Sequence, residues 1–161
     1  MKTLTFQFVK DKSIEGAAIR WKGDSDWQHV NLCTPDGKLL GALMEGGIQK
    51  REPNYANFEL QSFVTIIVTD EQYDTFWTYA YSRIGEAYNK KGILGEVLGT
   101  SVSDPAHDFC SEYGSVCIIT ADIFYIAKDP DKVDPDELYL MLCSQPGATE
   151  QRIPAAKGVG A

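Results

Sequence analysis

The sequence predicts an α+β fold in which an antiparallel sheet packs against helices. Three patterns support this class. Leu4, Phe6 and Phe8 alternate with polar residues, which is the period-2 pattern of a half-buried strand. Residues 27–45 contain two strand patterns around a Pro-Asp-Gly turn and so predict a hairpin. Residues 69–85, by contrast, repeat apolar side chains at the i, i+3, i+4 intervals of an amphipathic helix.

Length and composition predict one folded domain. The chain has 161 residues, of which 43% are hydrophobic, and both values are ordinary for a single globular unit. We assign residues 1–144 to that domain. Residues 145–161 carry Gly, Pro, Ala and charge without periodicity, and are predicted to form a mobile tail.

The charge balance argues against two classes of partner. A net charge of −8 is unfavourable for binding nucleic acid or an anionic membrane surface, because both need clustered Lys and Arg. No apolar run is long enough to span a bilayer. Residues 1–10 alternate polar and apolar side chains and lack the apolar core of a secretory signal, so we expect a cytoplasmic protein.

The hairpin register decides which residue lies beside His29. A three-residue loop, residues 36–38, places Glu45 directly across from His29. A two-residue loop, Asp36-Gly37, pairs His29 with Met44 and turns Glu45 to the other face. The sequence leaves both registers open.

Other segments have weaker patterns. The first strand is predicted to be an early or edge strand, and residues 13–21 to form a short helix. Residues 46–57 look irregular because Pro53 is unfavourable in a central strand. Residues 58–68 are predicted to form a central strand covered on both sides.

The second half of the chain alternates between helix signals and irregular segments. The helix that starts at Thr69 should end near Gly85, and a loop or broken helix should follow it. Residues 122–127 are predicted to form a strand. Asp134 starts another helix, and residues 138–143 are predicted to be a short helix or a strand.

Cys110 is the candidate nucleophile. The four cysteines form no C-x-x-C pair, so buried or catalytic thiols are favoured over disulfides or a zinc site, and we expect no metal and no cofactor. A helix N-terminus and an imidazole both favour the thiolate. With Asp108 as N-cap, Cys110 lies in the first turn of its helix, whereas with Asp104 as N-cap it lies deeper.

His29 is the candidate base and Glu45 the residue that would fix its tautomer. The alternative is structural: a cysteine on an amphipathic helix usually packs, a strand histidine is often a satisfied core residue, and a glutamate at a hairpin end is usually solvated. His107 is a second candidate base on the same helix face as Cys110, although i, i+3 spacing rarely suits a nucleophile and its base.

Five segments together resemble a known family. They are QHV (28–30), MEGG (44–47), IGEAYN (84–89), FCSE (109–112) and VDPDEL (133–138). In this order they are similar to the circularly permuted papain-like amidases of the YiiX type, which are related to bacterial cell-wall amidases and to lecithin retinol acyltransferase-like enzymes. The resemblance extends from about residue 14 to residue 140.

This resemblance implies a permuted papain-like fold and a cysteine hydrolase that cleaves an amide, or alternatively an ester or thioester. Cys110 would be the nucleophile, His29 the base and Glu45 the third polar residue. The N–H of Cys110 would form part of the oxyanion hole, and Tyr88 is a candidate for the rest. The implied substrate is a small-molecule, peptide or lipid-linked amide. Secreted members of the family carry a signal peptide, whereas this sequence has no such pattern. A phage or mobile-element origin would reconcile the resemblance with the missing signal pattern.

Two other functions stay open at this point. The same fold could serve as a non-catalytic binding module, with Cys110 and His29 packed in its core. It could also transfer the acyl group to an amine or lipid acceptor instead of water.

Overall fold

The computed structural model describes residues 1–10, 26–43, 46–86 and 108–154. These ranges contain six strands and three α-helices, which confirms the α+β class. The strands are β1 (Lys2–Lys10), β2 (His29–Cys33), β3 (Leu39–Leu43), β4 (Gly47–Arg51), β5 (Leu60–Val68) and β6 (Thr149–Pro154). The helices are α1 (Asp70–Ser82), α2 (Asp108–Thr120) and α3 (Pro135–Cys143), with a short 3₁₀ turn at Pro130–Lys132.

All six strands join one antiparallel sheet in the order β4-β3-β2-β1-β5-β6. The first strand is therefore interior: β1 pairs with β5 along its whole length and with β2 on its other side. Its apolar residues alternate with polar ones, as the sequence predicts, because successive side chains point to opposite faces.

The three helices cover one side of the sheet, which we call the helix face. Phe6 meets Phe76 of α1 with ring centres 5.9 Å apart, and Phe8 meets Tyr139 of α3 at 5.3 Å. Leu32 and Leu40 of the neighbouring strands are buried in the same cluster. Burial of these large apolar side chains is the main source of stability.

Capping boxes fix the starts of two helices. Thr69 accepts from the Gln72 N–H, and the Gln72 side chain accepts from the Thr69 N–H, as the sequence predicts. Asp134 and Glu137 make the same reciprocal bonds at the start of α3. Residues 138–143 are thus helical, which decides between the two predicted alternatives.

The hairpin has a register that differs from both predictions. Cys33 pairs with Leu39, which continues to His29 opposite Leu43. The loop does have three residues, but they are 35–37, because the Thr34 N–H donates to the Lys38 carbonyl at 2.9 Å and the Lys38 N–H donates to the Thr34 hydroxyl at 3.0 Å. Thr34 thereby closes the ladder and leaves Pro35, which has no N–H to donate, in the loop.

Three predictions of irregular or regular structure are wrong. Residues 47–51 form edge strand β4, and Pro53 lies beyond its end. Residues 122–127 form no strand, and Asp122 has a φ of +49° directly after the end of α2. Residues 149–154 of the predicted tail pair with β5 as strand β6.

Strand β5 lies inside the sheet, as predicted, but it is not covered equally on both sides. Its residues alternate between buried and partly exposed, and Ile67 near its end is 46% exposed. The predicted helix at 13–21, the predicted loop after residue 86 and the alternative cap Asp104 lie outside the described residues. Among the residues that the structure describes, no helix is both long and apolar enough to cross a membrane.

Candidate functional site

The side of the sheet opposite the helices carries a buried polar cluster. We call this side the loop face, because residues 52–59 lie against part of it. The polar cluster consists of His29, Asn31, Gln7, Gln61 and Tyr55, of which the first three are at most 4% exposed. Such burial requires that the polar atoms be paired within the protein.

A chain of hydrogen bonds joins these side chains. His29 Nε2 lies 2.9 Å from Asn31 Oδ1, Asn31 Nδ2 donates to Gln7 Oε1 at 2.9 Å, and Gln7 Nε2 donates to Gln61 Oε1 at 2.7 Å. Asn31 Nδ2 also donates to the Tyr55 hydroxyl at 3.2 Å. In this orientation the Asn31 amide presents its oxygen to the ring, and an amide oxygen can only accept; the arrangement therefore fits a His29 that carries its proton on Nε2 and its lone pair on Nδ1.

Gly41 leaves the space that this arrangement needs. A Cβ at position 41 would lie 2.2 Å from Asn31 Oδ1 and 3.3 Å from His29 Nε2. Position 41 therefore has to be a glycine for Asn31 to reach the imidazole. The same contact shows that Nε2 lies on the loop face, since Gly41 pairs across from Asn31 in the extended register.

Burial keeps His29 neutral. Its pKa falls from 6.5 to about 4, chiefly because burial disfavours the charged ring, and the positive charge of Arg51 acts in the same direction. The hydrogen bond to Asn31 opposes this shift. The imidazole is thus uncharged at pH 7, and its free lone pair is that of a weak base.

Cys110 is the third residue of α2, which begins at Asp108, and so lies in its first turn. Its side chain is 6% exposed and belongs to the apolar cluster of the helix face. Ser111 beside it donates to the Val133 carbonyl at 2.5 Å, which ties the start of α2 to the segment before α3.

The structure places Cys110 and the imidazole edge of His29 on different sides of the sheet. Cys110 is on a helix that covers the helix face, whereas the Nε2 edge of His29 lies on the loop face. The described side-chain hydrogen bond of His29 is the one to Asn31. The pairing of the Cys110 thiol with the His29 imidazole stays a prediction.

Glu45, Tyr88 and His107 lie outside the described residues, so their predicted roles stay predictions. Among the described residues, Asn31 is the acceptor that can fix the His29 tautomer, which is the role predicted for Glu45. The alternation of β2 already indicated that Asn31 lies beside His29, since residues i and i+2 share one face of a strand. Gln7 and Gln61 carried no local signal, because they are joined to Asn31 only through strand pairing.

The other three thiols are less acidic than a free cysteine. Burial raises the pKa of Cys33 to about 12 and also raises the pKa values of Cys117 and Cys143. The sequence predicts Cys33, Cys117 and Cys143 to be core residues. Cys117 is completely buried, but Cys33 and Cys143 are only half-buried. None of the four cysteines forms a disulfide.

A cleft of about 440 Å³ opens between the β2–β3 loop and α1, at the end of β2 opposite to His29. Tyr73, Trp77 and Phe63 supply aromatic walls, and Thr3 and Thr5 supply hydroxyls. The Trp77 indole N–H is buried and has no hydrogen-bond partner within the described part of the chain. The volume suits a small molecule.

Within the described ranges, no group of three or more His, Cys, Asp or Glu side chains could hold a metal ion. Comparisons of the chain with family models, with curated proteins and with solved structures found no match.

Proposed function

We propose that this chain is a cysteine hydrolase that cleaves an amide, or alternatively an ester or thioester, through an acyl-enzyme on Cys110. The observation that carries the proposal is the state of His29, whose Nε2 is bound by Asn31 so that Nδ1 keeps its lone pair. A general base for a thiol needs a free ring nitrogen and a fixed ring. The motif order described above supplies the reaction class.

The proposed reaction has two steps. Nδ1 of His29 takes the proton from Cys110 Sγ, and the thiolate attacks the substrate carbonyl carbon. The imidazolium then gives that proton to the leaving amine as the C–N bond breaks, and water hydrolyses the acyl-enzyme. The backbone N–H of Cys110, at a helix start, is a donor for the oxyanion.

The proposal requires a change in geometry. His29 is the first residue of β2, so Sγ and Nδ1 must approach each other around the end of that strand when substrate binds. Catalytic hydrogen bonds are often long in unliganded enzymes. A nearby thiolate would also raise the low pKa of His29, because opposite charges favour the protonated ring.

The test is the rate of iodoacetamide alkylation of each cysteine against pH, followed by peptide mass mapping. We expect Cys110 to react fastest, at a pH below the ordinary thiol pKa of about 8.5, and to lose this reactivity in His29→Ala. Cys33 and Cys117 are internal controls, since their pKa values are raised. If Cys110 is as inert as Cys117, the hydrolase proposal fails.

A second candidate function is a non-catalytic binding module. It is favoured by the burial of Cys110 in the apolar cluster and by the aromatic cleft between the β2–β3 loop and α1. Mass-spectrometric trapping of an acyl group on Cys110 excludes it. Product analysis with and without an added amine then separates hydrolysis from acyl transfer.

A further inference from the structure

The hydrogen-bond chain behind His29 continues well beyond the residue that touches it. Asn31, Gln7 and Gln61 lie on strands β2, β1 and β5. The amide nitrogen of Asn31 donates to the amide oxygen of Gln7, and that of Gln7 donates to the amide oxygen of Gln61. Asn31 and Gln7 are each 1% exposed, whereas Gln61 is half-buried at the end of the chain. Water cannot easily replace either inner amide.

We propose that Gln7 and Gln61 are positioning residues that set the tautomer of His29 through Asn31. The use of that tautomer in turnover rests on the proposed function, but the tautomer itself does not. The described hydrogen bonds of the two glutamines reach the imidazole only through Asn31.

The donor-to-acceptor direction of these hydrogen bonds determines which tautomer of His29 is favoured. Both hydrogens of Asn31 Nδ2 are used, one by Gln7 Oε1 and one by the Tyr55 hydroxyl. Turning the Asn31 amide alone would set its oxygen against Gln7 Oε1, which is repulsive because both atoms are acceptors. All three amides must therefore turn together or not at all.

A complete reversal would change the chemistry of His29. Asn31 Nδ2 would then donate to Nε2, and the ring proton would move to Nδ1. That tautomer has no lone pair on the nitrogen that must accept the thiol proton. The outer end of the chain, at Gln61, thus decides whether His29 can act as the proposed base.

Substitutions at residue 61 can reverse the direction of these hydrogen bonds without altering the residues next to His29. Gln61→Glu supplies oxygens that only accept, which keeps Gln7 Nε2 as the donor. Gln61→Lys supplies a group that only donates, so Gln7 must present its oxygen to residue 61 and its nitrogen to Asn31. Gln151→Glu and Gln151→Lys are matched controls, because Gln151 is an exposed glutamine on the adjacent strand β6.

The measurement is the pair of ¹⁵N shifts of the His29 ring nitrogens at pH 7. The chain has two histidines, so His107→Gln assigns the signals. We expect Nε2–H in the wild type and in Gln61→Glu. In Gln61→Lys the ratio of Nε2–H to Nδ1–H should fall by about tenfold or more, the effect of roughly one buried hydrogen bond. Both Gln151 variants should match the wild type.

Two results would overturn the inference: an Nδ1–H tautomer in the wild type, or an unchanged ratio in Gln61→Lys. Failure of the hydrolase proposal is a separate outcome. If the tautomer follows residue 61 while Cys110 alkylation ignores His29→Ala, the positioning role stands and the proposed reaction does not. If the alkylation rate of Cys110 depends on His29 but the His29 tautomer is the same in all residue 61 variants, the proposed reaction stands and the positioning role does not.

Discussion

The two faces of the sheet are both buried around β1 and β2, but by different means. On the helix face, Phe6 and Phe8 pack against aromatic rings of α1 and α3. On the loop face, Gln7 and His29 are as inaccessible as those rings, yet they make hydrogen bonds. Apolar contacts tolerate small shifts of the side chains. In a buried hydrogen-bond network, by contrast, one side chain that moves leaves the groups bonded to it without partners. We therefore expect the helix face to supply stability and the loop face to supply a defined state of one imidazole.

The largest effect should come from truncating the helix face. Phe8→Ala removes a fully buried ring that contacts Trp27 and Tyr139, and should lower the free energy of unfolding by about 3–5 kcal/mol. Thr65→Ala is the comparison on the loop face, where the Thr65 hydroxyl lies 2.9 Å from the Thr5 hydroxyl. This change should cost about 1 kcal/mol or less. Urea unfolding measures both. Equal losses would contradict the assignment of stability to the helix face.

The next effect is a pH dependence that belongs to His29. Its folded-state pKa of about 4 lies below the unfolded value of 6.5, so the unfolded chain takes up the proton first. The stability is fully present above pH 6.5 and is lost as the pH falls towards 4. At about 1.36 kcal/mol per unit, the loss is about 3 kcal/mol.

Urea unfolding between pH 7 and pH 4 measures this loss, with His29→Gln as the comparison. The difference in unfolding free energy between wild type and variant should shrink steadily as the pH falls. A difference that stays constant over this range would mean that the imidazole is solvated or already charged in the folded chain.

A pair of glycines sharpens the comparison. Gly41→Ala places a Cβ against the Asn31 amide and should cost about 1–3 kcal/mol, because a side chain with fixed partners has to move. Gly114→Ala on α2 meets only Leu138 Cδ2, at 3.2 Å, and gains helix propensity of about 1 kcal/mol. We expect thermal unfolding to show a loss for Gly41→Ala and little change for Gly114→Ala. Tolerance of both would mean that the polar cluster is not tightly packed.

The smallest effect concerns the edge of the sheet at β6. Burial alone would raise the pKa of Glu150, but hydrogen bonds from Tyr139, Arg152 and Ser62 lower it to about 2. Its contribution is present above pH 4.5 and is lost as the pH falls towards 2. Glu150→Gln should cost about 1 kcal/mol at pH 7 because the cluster is partly exposed.

The control for that change is Lys38→Met, which removes an ion pair between exposed side chains. It should leave the urea midpoint unchanged, since such pairs contribute little. An equal loss in the two variants would mean that Glu150 is only a surface charge.

Much of the fold could be predicted because most elements bury an apolar face. Alternation identified β1 and β2, helical spacing identified α1, and the signals at Asp134 identified the start of α3. Strands β4 and β6 were missed because edge strands are held mainly by backbone pairing and need no apolar pattern. Strand β6 is exposed along its whole length.

The site was harder to predict than the fold. Cys110 in the first turn of a helix and His29 on a strand follow from local signals. Asn31, which orients His29, follows from the alternation along β2. The residue across from His29 on the next strand does not, because it depends on a hairpin register set by the Thr34 hydroxyl. The glutamines behind Asn31 depend on pairing between strands far apart in the chain.

The central place of β1 has a consequence for biosynthesis. This strand is made before both of the strands that it pairs with, β2 at residues 29–33 and β5 only at residues 60–68. Until then its alternate apolar side chains have no sheet to join, and such exposed strands are prone to aggregate. We therefore expect correct folding of this domain during synthesis to depend on a chaperone, or on fast synthesis of residues 11–68.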